Sequence, residues 1–114
     1  MKKAAIINLA QENHLRTKLN NLYNEIKEDQ FDKIKSDDER MTHFGIRQGQ
    51  LFKIFREHRC LSIQEASEFL NVPATIIFAI ENGDIVPNED ITADYAHILG
   101  ASVEMESFLD FFEY

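Results

Sequence analysis

The sequence predicts an all-α protein, and three observations lead to that fold class. Apolar residues recur at intervals of three and four between residues 15 and 26, which is the period of an amphipathic helix. Two Ser-x-x-Glu segments, Ser36 to Glu39 and Ser62 to Glu65, have the spacing of the capping box that begins a helix. No segment alternates apolar and polar residues over the length of a strand. We therefore expect helices along the whole chain.

The amino-terminal segment predicts a long amphipathic helix over about residues 4–34. An apolar stripe on such a helix must be buried against the rest of the chain, a second copy or another protein. The stripe consists of Leu15, Leu19, Leu22, Tyr23 and Ile26. A new helix can begin at the polar break of residues 36–39. Because Gly45 and Gly49 each cost about 1 kcal/mol in a helix interior, we expect the next regular helix over residues 47–59.

Turn residues mark two short helices in the middle of the chain. Ser62 begins the segment IQEASEFL, and Asn71 suits the left-handed conformation of a tight turn. Pro73 suits the first turn of the following helix, which Gly83 is expected to end.

Two further helices are predicted near the carboxyl terminus. Pro87 and Asn88 introduce the helix NEDITADYAHIL, with Gly100 just past its end. Ser102 is expected to cap a last helix, VEMESFLDFFEY. That helix carries more aromatic surface than a terminal helix normally needs. Phe111 and Tyr114 are expected either to extend into a dimer or partner interface or to pack in the core with the rest of the helix.

Composition limits the class of protein. The chain has 114 residues, 44% of them apolar, which is enough for a single core. Its one cysteine, Cys60, excludes an internal disulfide and fits a reducing compartment. No apolar run approaches the ~18 residues of a transmembrane helix, and polar residues interrupt any signal-peptide core at the amino terminus. We expect a cytoplasmic protein with no membrane contact.

Charge is distributed very unevenly along the chain, which has a net charge of −8. Residues 1–59 hold all twelve Lys and Arg and nine Asp and Glu, a net charge of +3. Residues 60–114 hold eleven Asp and Glu and no Lys or Arg, a net charge of −11. A nucleic-acid surface built from the second segment would contain no fixed cation.

No pattern of catalytic or metal-binding residues is present. The histidines lack the spacing of metal ligands; they are His14, His43, His58 and His97. Cys60 has no evident His and Asn partners for nucleophilic catalysis, and the glycines form no phosphate-binding loop. We expect no enzyme activity, no metal or other cofactor, and no small-molecule substrate.

The order of these helices and turns resembles the phage-repressor class of helix-turn-helix domains, the family of Cro and lambda repressor, over about residues 47–110. The resemblance rests on Phe52, Phe55, Arg56, Leu61, Ser62, Leu70 to Pro73, Ile77, Ile80 to Gly83, Pro87 and Gly100. It implies a five-helix domain over residues 45–114. Residues 1–44 then form a helical extension for dimerisation or partner binding.

The resemblance also implies one structural ion pair. The basic residue at the position of Arg56 pairs in this family with the glutamate at the position of Glu81. We expect this salt bridge here, because a partly buried carboxylate is costly when it has no partner. Arg56 is then not available to a phosphate group.

Members of this family contact bases through residues at the start of the second helix of the domain and along its third helix. Those positions here are Ile63, Ala74, Thr75, Phe78 and Ala79. Of these, Thr75 alone has a polar side chain. Lys53 and Arg59 are expected to flank the groove, and the backbone amide of Asn82 can hold a phosphate.

Three interpretations of the apolar recognition helix remain open. Its side chains would form a patch of Ile63, Ala74, Ile76, Phe78 and Ala79, and such a patch usually marks an interface. The amino-terminal helix could instead cover the patch, or the helix could retain contact with DNA.

The first functional hypothesis is a transcriptional regulator that binds double-stranded DNA as a homodimer. The alternative is a helix-turn-helix fold that binds a protein partner, as antitoxins and anti-regulators do, with little or no DNA binding. The expected interface residues are Leu15, Leu19, Leu22, Ile63, Ile76, Phe78, Phe111 and Tyr114.

Overall fold

The computed structural model describes the backbone of residues 2–31 and 37–112 and the side chains of residues 12–29 and 38–111. Tyr114 and the predicted capping box at Ser36 lie outside these residues. All regular structure in the described ranges is α-helical, as the sequence predicts, and it forms six helices. They are α1 (Lys2–Phe31), α2 (Asp37–His58), α3 (Ile63–Leu70), α4 (Ala74–Glu81), α5 (Glu89–Leu99) and α6 (Ser102–Phe112).

Local side-chain chemistry sets the ends of the short helices. The Ser62 hydroxyl accepts a hydrogen bond from the Glu65 backbone amide at 3.0 Å, and the Glu65 carboxylate accepts one from the Ser62 amide at 3.1 Å. Asn71 ends α3 in the left-handed region with φ 55°, and Gly100 ends α5 with φ 68°. The Asn88 side chain caps α5. These ends lie where the sequence predicts them, whereas Ser102 is the first residue of α6 instead of its cap.

The core lies between α2, α4, α5 and α6, with α3 and α1 packed on its sides. Phe52 of α2 stacks on Tyr95 of α5 with ring centroids 4.5 Å apart. Phe44 of α2 meets Phe108 of α6 with centroids 5.3 Å apart. All four rings therefore connect α2 to the two carboxyl-terminal helices.

The expectation of a helix confined to residues 47–59 is wrong, since α2 runs without a break from Asp37 to His58. The two glycines lie where α2 meets the end of α4. A Cβ atom on Gly49 would lie 2.4 Å from the Ile80 carbonyl oxygen and 2.6 Å from that of Glu81. On Gly45 it would lie 3.1 Å from the Gly83 oxygen. Close packing of α2 on α4 therefore outweighs the low helix propensity of glycine.

The amino-terminal helix packs on α2 as part of the same structure. Leu22 and Ile26 are 3% and 1% exposed and belong to the core, and Leu15 and Leu19 are partly buried against it. Of the three leucines expected at an interface, Leu22 is thus buried by its own chain, whereas Leu15 and Leu19 are only partly covered and their expected role stays a prediction. The predicted domain boundary between residues 44 and 45 falls inside α2.

A second contact between α1 and α2 is electrostatic. The guanidinium of Arg47 donates to both oxygens of Asp29 at 2.6 and 3.1 Å, and to Glu25 at 2.8 Å. The hydrogen bond to Asp29 raises the pKa of Arg47 further above its usual range. Two acceptors in a forked arrangement fix direction as well as distance, so this pair sets the register of α1 on α2.

We predict that Gly49→Ala destabilises the protein although alanine favours a helix by about 1 kcal/mol. The new methyl group meets two successive backbone oxygens of α4, and overpacking of this kind costs about 1–3 kcal/mol. We expect a lower urea midpoint with an unchanged slope. Gly45→Ala is the matched control, because one of its two near atoms is the movable Val86 Cγ2 at 3.2 Å. A Gly49→Ala variant as stable as the parent would contradict the close packing.

Candidate functional site

The exposed side of α4 is the candidate functional site. Ile77, Ile80 and Glu81 are buried on the inner side of this helix. Thr75, Phe78 and Asn82 are exposed, and their spacing of three and four residues places them in one row. We call this row the α4 stripe. Phe78, at its centre, is 56% exposed.

A buried hydrogen-bond network holds α4 in this orientation. The Arg56 guanidinium of α2 donates to the two carboxylate oxygens of Glu81 at 2.7 and 3.0 Å. The Tyr95 hydroxyl of α5 donates to the same carboxylate at 2.5 Å. Arg56 also donates to the Leu61 carbonyl oxygen at 2.7 Å. The ion pair implied by the repressor resemblance is therefore present, and Tyr95 extends it to a third helix.

The network holds a charged Arg56 and a neutral Tyr95 against the same side chain. The hydrogen bond to Glu81 raises the pKa of Arg56, so the guanidinium stays charged. Burial, and then the hydrogen bond to the Glu81 carboxylate, strongly raise the pKa of the Tyr95 hydroxyl. A protonated phenol and a charged guanidinium thus share one carboxylate that is 6% exposed.

The cations expected to contact DNA are occupied elsewhere or lie apart from α4. Arg59 donates to the Leu99 carbonyl oxygen at 3.0 Å, at the carboxyl end of α5. Lys53 lines a cleft between α1 and α2, together with Glu25 and Glu57. Arg47, as described above, binds the acids of α1. Arg47, Arg56 and Arg59 therefore each donate hydrogen bonds within the protein.

The apolar patch is smaller than the sequence predicts. Ile63 and Ile76 are partly buried against the core, and Ala74 and Ala79 are also half-buried. Burial of Ile63 and Ile76 follows from packing of α3 on α4. Phe78 keeps most of its exposure, and the described part of α1 lies along α2. The described part of the amino-terminal helix thus leaves the α4 stripe open to solvent.

One exposed aromatic residue was not among the expected site residues. Phe69 on α3 is 65% exposed, more than Phe78. The sequence indicates this exposure, because Phe69 is an apolar residue outside the inner stripe of α3. That stripe consists of Ile63, Ala66 and Leu70. Glu65 and Glu68 are also exposed on α3, and Glu65 lies four residues before Phe69 on the same side of the helix. The exposed side of α3 therefore combines an aromatic ring with two carboxylates.

The carboxyl-terminal helix lies close to α1. Phe111 is 38% exposed and borders a cleft shared with Tyr23 and Lys27 of α1. Phe108 of the same helix is buried in the core. Phe111 thus lies at the seam between α1 and α6, and its expected role in an interface stays a prediction.

Comparison with known proteins adds no family to these observations, since no family model, curated protein or solved structure matches the chain. Across residues 2–31 and 37–112, every helix is too short or too polar to cross a membrane.

We predict that Tyr95→Phe lowers the free energy of unfolding at pH 7 by about 1.5–3 kcal/mol, the usual contribution of a hydrogen bond to a charged group. This difference should shrink above pH 10. An unfolded tyrosine releases its proton near pH 10, whereas the raised pKa of Tyr95 keeps the proton bound in the folded protein. The unfolded state then binds fewer protons, so stability falls as pH rises.

Urea unfolding of both proteins between pH 7 and pH 11 measures this effect. Ionisable groups that both proteins share contribute equally to the two free energies of unfolding, so their contributions cancel in the difference. We expect the difference to fall by about 1.4 kcal/mol by pH 11. A difference that stays constant across this range would mean that Tyr95 does not carry the buried proton.

Proposed function

We propose that this protein is a helix-turn-helix regulator of the repressor class that acts by binding another protein through the α4 stripe. One observation carries the proposal: Phe78 is 56% exposed at the centre of a row that contains no cation. Aromatic side chains at the centre of an interface supply much of its binding energy. A repressor-class helix with an aromatic centre is suited to a protein surface more than to base edges.

The repressor-class assignment is supported by the unit formed by α3, α4 and their connection. The connection between the two helices holds Asn71 in the left-handed conformation at φ 55°. The Arg56–Glu81 pair ties α4 to α2. The ion pair is a feature that the resemblance implies, and the conformation of Asn71 is the one that its place in the turn predicts.

Charge defines the partner that fits this surface. Three exposed acids are close to the stripe residues in the sequence, namely Glu65 and Glu68 of α3 and Asp84 after α4. No Lys or Arg follows Arg59. A second copy would bring the same acids to its own α4 stripe, and like charges oppose each other across an interface. The proposed partner is therefore a different protein with an apolar pocket for Phe78 and Lys or Arg at its rim.

DNA binding is the second candidate function, because Thr75 and Asn82 are polar and exposed on the same stripe. Their side chains can reach bases or phosphates, and Asn is one of the residues that contact adenine. Affinity for duplex DNA, however, comes largely from Lys and Arg beside phosphates. The arginines that would supply these contacts, Arg47, Arg56 and Arg59, donate within the protein.

We predict that Phe78→Asp abolishes partner binding, with an affinity loss of about 30-fold or more, as for a residue at an interface centre. Val103→Asp is the matched control, because Val103 is 72% exposed on α6 and lies outside α3 and α4. Proteins retained from a cell extract by the parent and by the control, but not by Phe78→Asp, are purified and titrated against all three proteins. Equal affinity of the two variants would contradict the proposal.

Duplex binding distinguishes the two candidate functions. Fluorescence anisotropy with a random-sequence duplex is measured at several salt concentrations from low to physiological. We expect no binding, or a log–log salt slope shallower than −3, since the slope is about −0.9 per phosphate neutralised. A slope of about −3 or steeper that Phe78→Asp removes would establish DNA as the ligand of the α4 stripe.

A further inference from the structure

A groove on another part of the surface is not used by the proposed function. It has a volume of about 630 Å³ and lies between the first half of α2, the connection from α4 to α5, and helices α5 and α6. None of the described residues that line it belongs to α3 or α4. Its volume is in the range of small-molecule sites, roughly 300–1,000 Å³.

The walls of the groove are mainly apolar. Met41 is 59% exposed at one edge and Val86 is 40% exposed at another. Phe44, Met105 and Leu109 supply further apolar surface. Exposed and adaptable methionine side chains suit a ligand of irregular apolar shape.

The groove contains neutral polar side chains and two acidic ones. Gln48 is 2% exposed, and its amide nitrogen lies 3.8 Å from the Met105 sulfur, so it forms part of the floor. Glu89 at the start of α5 and Glu106 on α6 are exposed and line the groove from two helices. No Lys or Arg is among the described lining residues. The only formal charges on these walls are therefore negative.

We propose that this groove binds small apolar cations, such as aromatic or alkyl ammonium compounds. The apolar walls favour transfer of hydrocarbon from water. The carboxylates of Glu89 and Glu106 oppose an anion and attract a cation at the mouth of the groove. The ring of Phe44 adds a surface on which a cation is stabilised by the aromatic quadrupole.

Two ions of matched size and opposite charge test the proposal: tetraphenylphosphonium and tetraphenylborate. The full chain is labelled with ¹³C at its methionine methyl groups. Of its three methionines, Met41 and Met105 line the groove. We expect tetraphenylphosphonium to shift the Met41 and Met105 methyl signals saturably, and tetraphenylborate to leave them unchanged at the same concentrations.

Variants locate the site and measure the charge effect. Glu106→Gln is expected to weaken binding of tetraphenylphosphonium by up to about fivefold, the effect of losing one exposed charge pair. Glu89→Gln combined with Glu106→Gln should weaken it further. Glu68→Gln on α3 is the matched control and should have no effect. Ala93 is exposed on α5 and lines the groove, so Ala93→Phe should block binding without loss of helical structure.

Three results would overturn the proposal. Equal binding of the two ions would show that charge does not select the ligand. Binding of tetraphenylphosphonium that persists in folded Ala93→Phe would place the ion elsewhere. Absence of any shift with either ion, in a protein with the parent circular dichroism spectrum, would show that the groove is not a site for such ligands. Phe78→Asp should leave this binding unchanged, which keeps the test separate from that of the proposed function.

Discussion

The buried contact between Arg56, Glu81 and Tyr95 constrains the rest of the structure. A carboxylate that is 6% exposed is unfavourable by several kcal/mol unless it has charged and hydrogen-bonding partners. Glu81 obtains those partners only when α2, α4 and α5 meet at one place. The rotation of α4 about its axis is then fixed, because Glu81 must point inward. The same orientation turns Ile77 and Ile80 inward and leaves the α4 stripe on the exposed side of the helix.

Local structure could be predicted from the sequence because its causes are local. The hydrogen bonds of Ser62 and Glu65 close over three residues, and the left-handed residues Asn71 and Gly100 act at a single position. The continuity of α2 could not be predicted in this way. Gly45 and Gly49 lower the propensity of an isolated helix, but they allow α2 to approach the backbone of α4, and that contact joins residues more than thirty positions apart.

The residues that make up the candidate site could be predicted from the sequence, but the solvent exposure of each could not. The sequence alone shows that α4 is apolar on nearly every side, but it does not show which of these residues α3 covers. Packing buries much of Ile63 and Ile76 and leaves Phe78 exposed. The roles of Arg47 and Arg59 were hidden for the same reason, since Asp29 and the Leu99 carbonyl oxygen are distant in the chain. Periodicity shows which residues share one side of a helix. Contacts with residues distant in the sequence are seen only in the structure.

Structural use of arginine and the segregation of charge together determine what this surface can bind. Arg47 and Arg56 of α2, and Arg59 just after it, stabilise the fold by donating to acceptors on α1, α4 and α5. Phosphate contacts would require some of them to leave those acceptors, and Arg56 would then leave a buried carboxylate unpaired. Residues 60–114 contribute a charge of −11 and cannot replace them.

The same negative field extends over the exposed side of α3 and the mouth of the groove between α5 and α6, and it attracts cations to both. Ligands of this protein are therefore expected to carry positive charge beside an apolar surface.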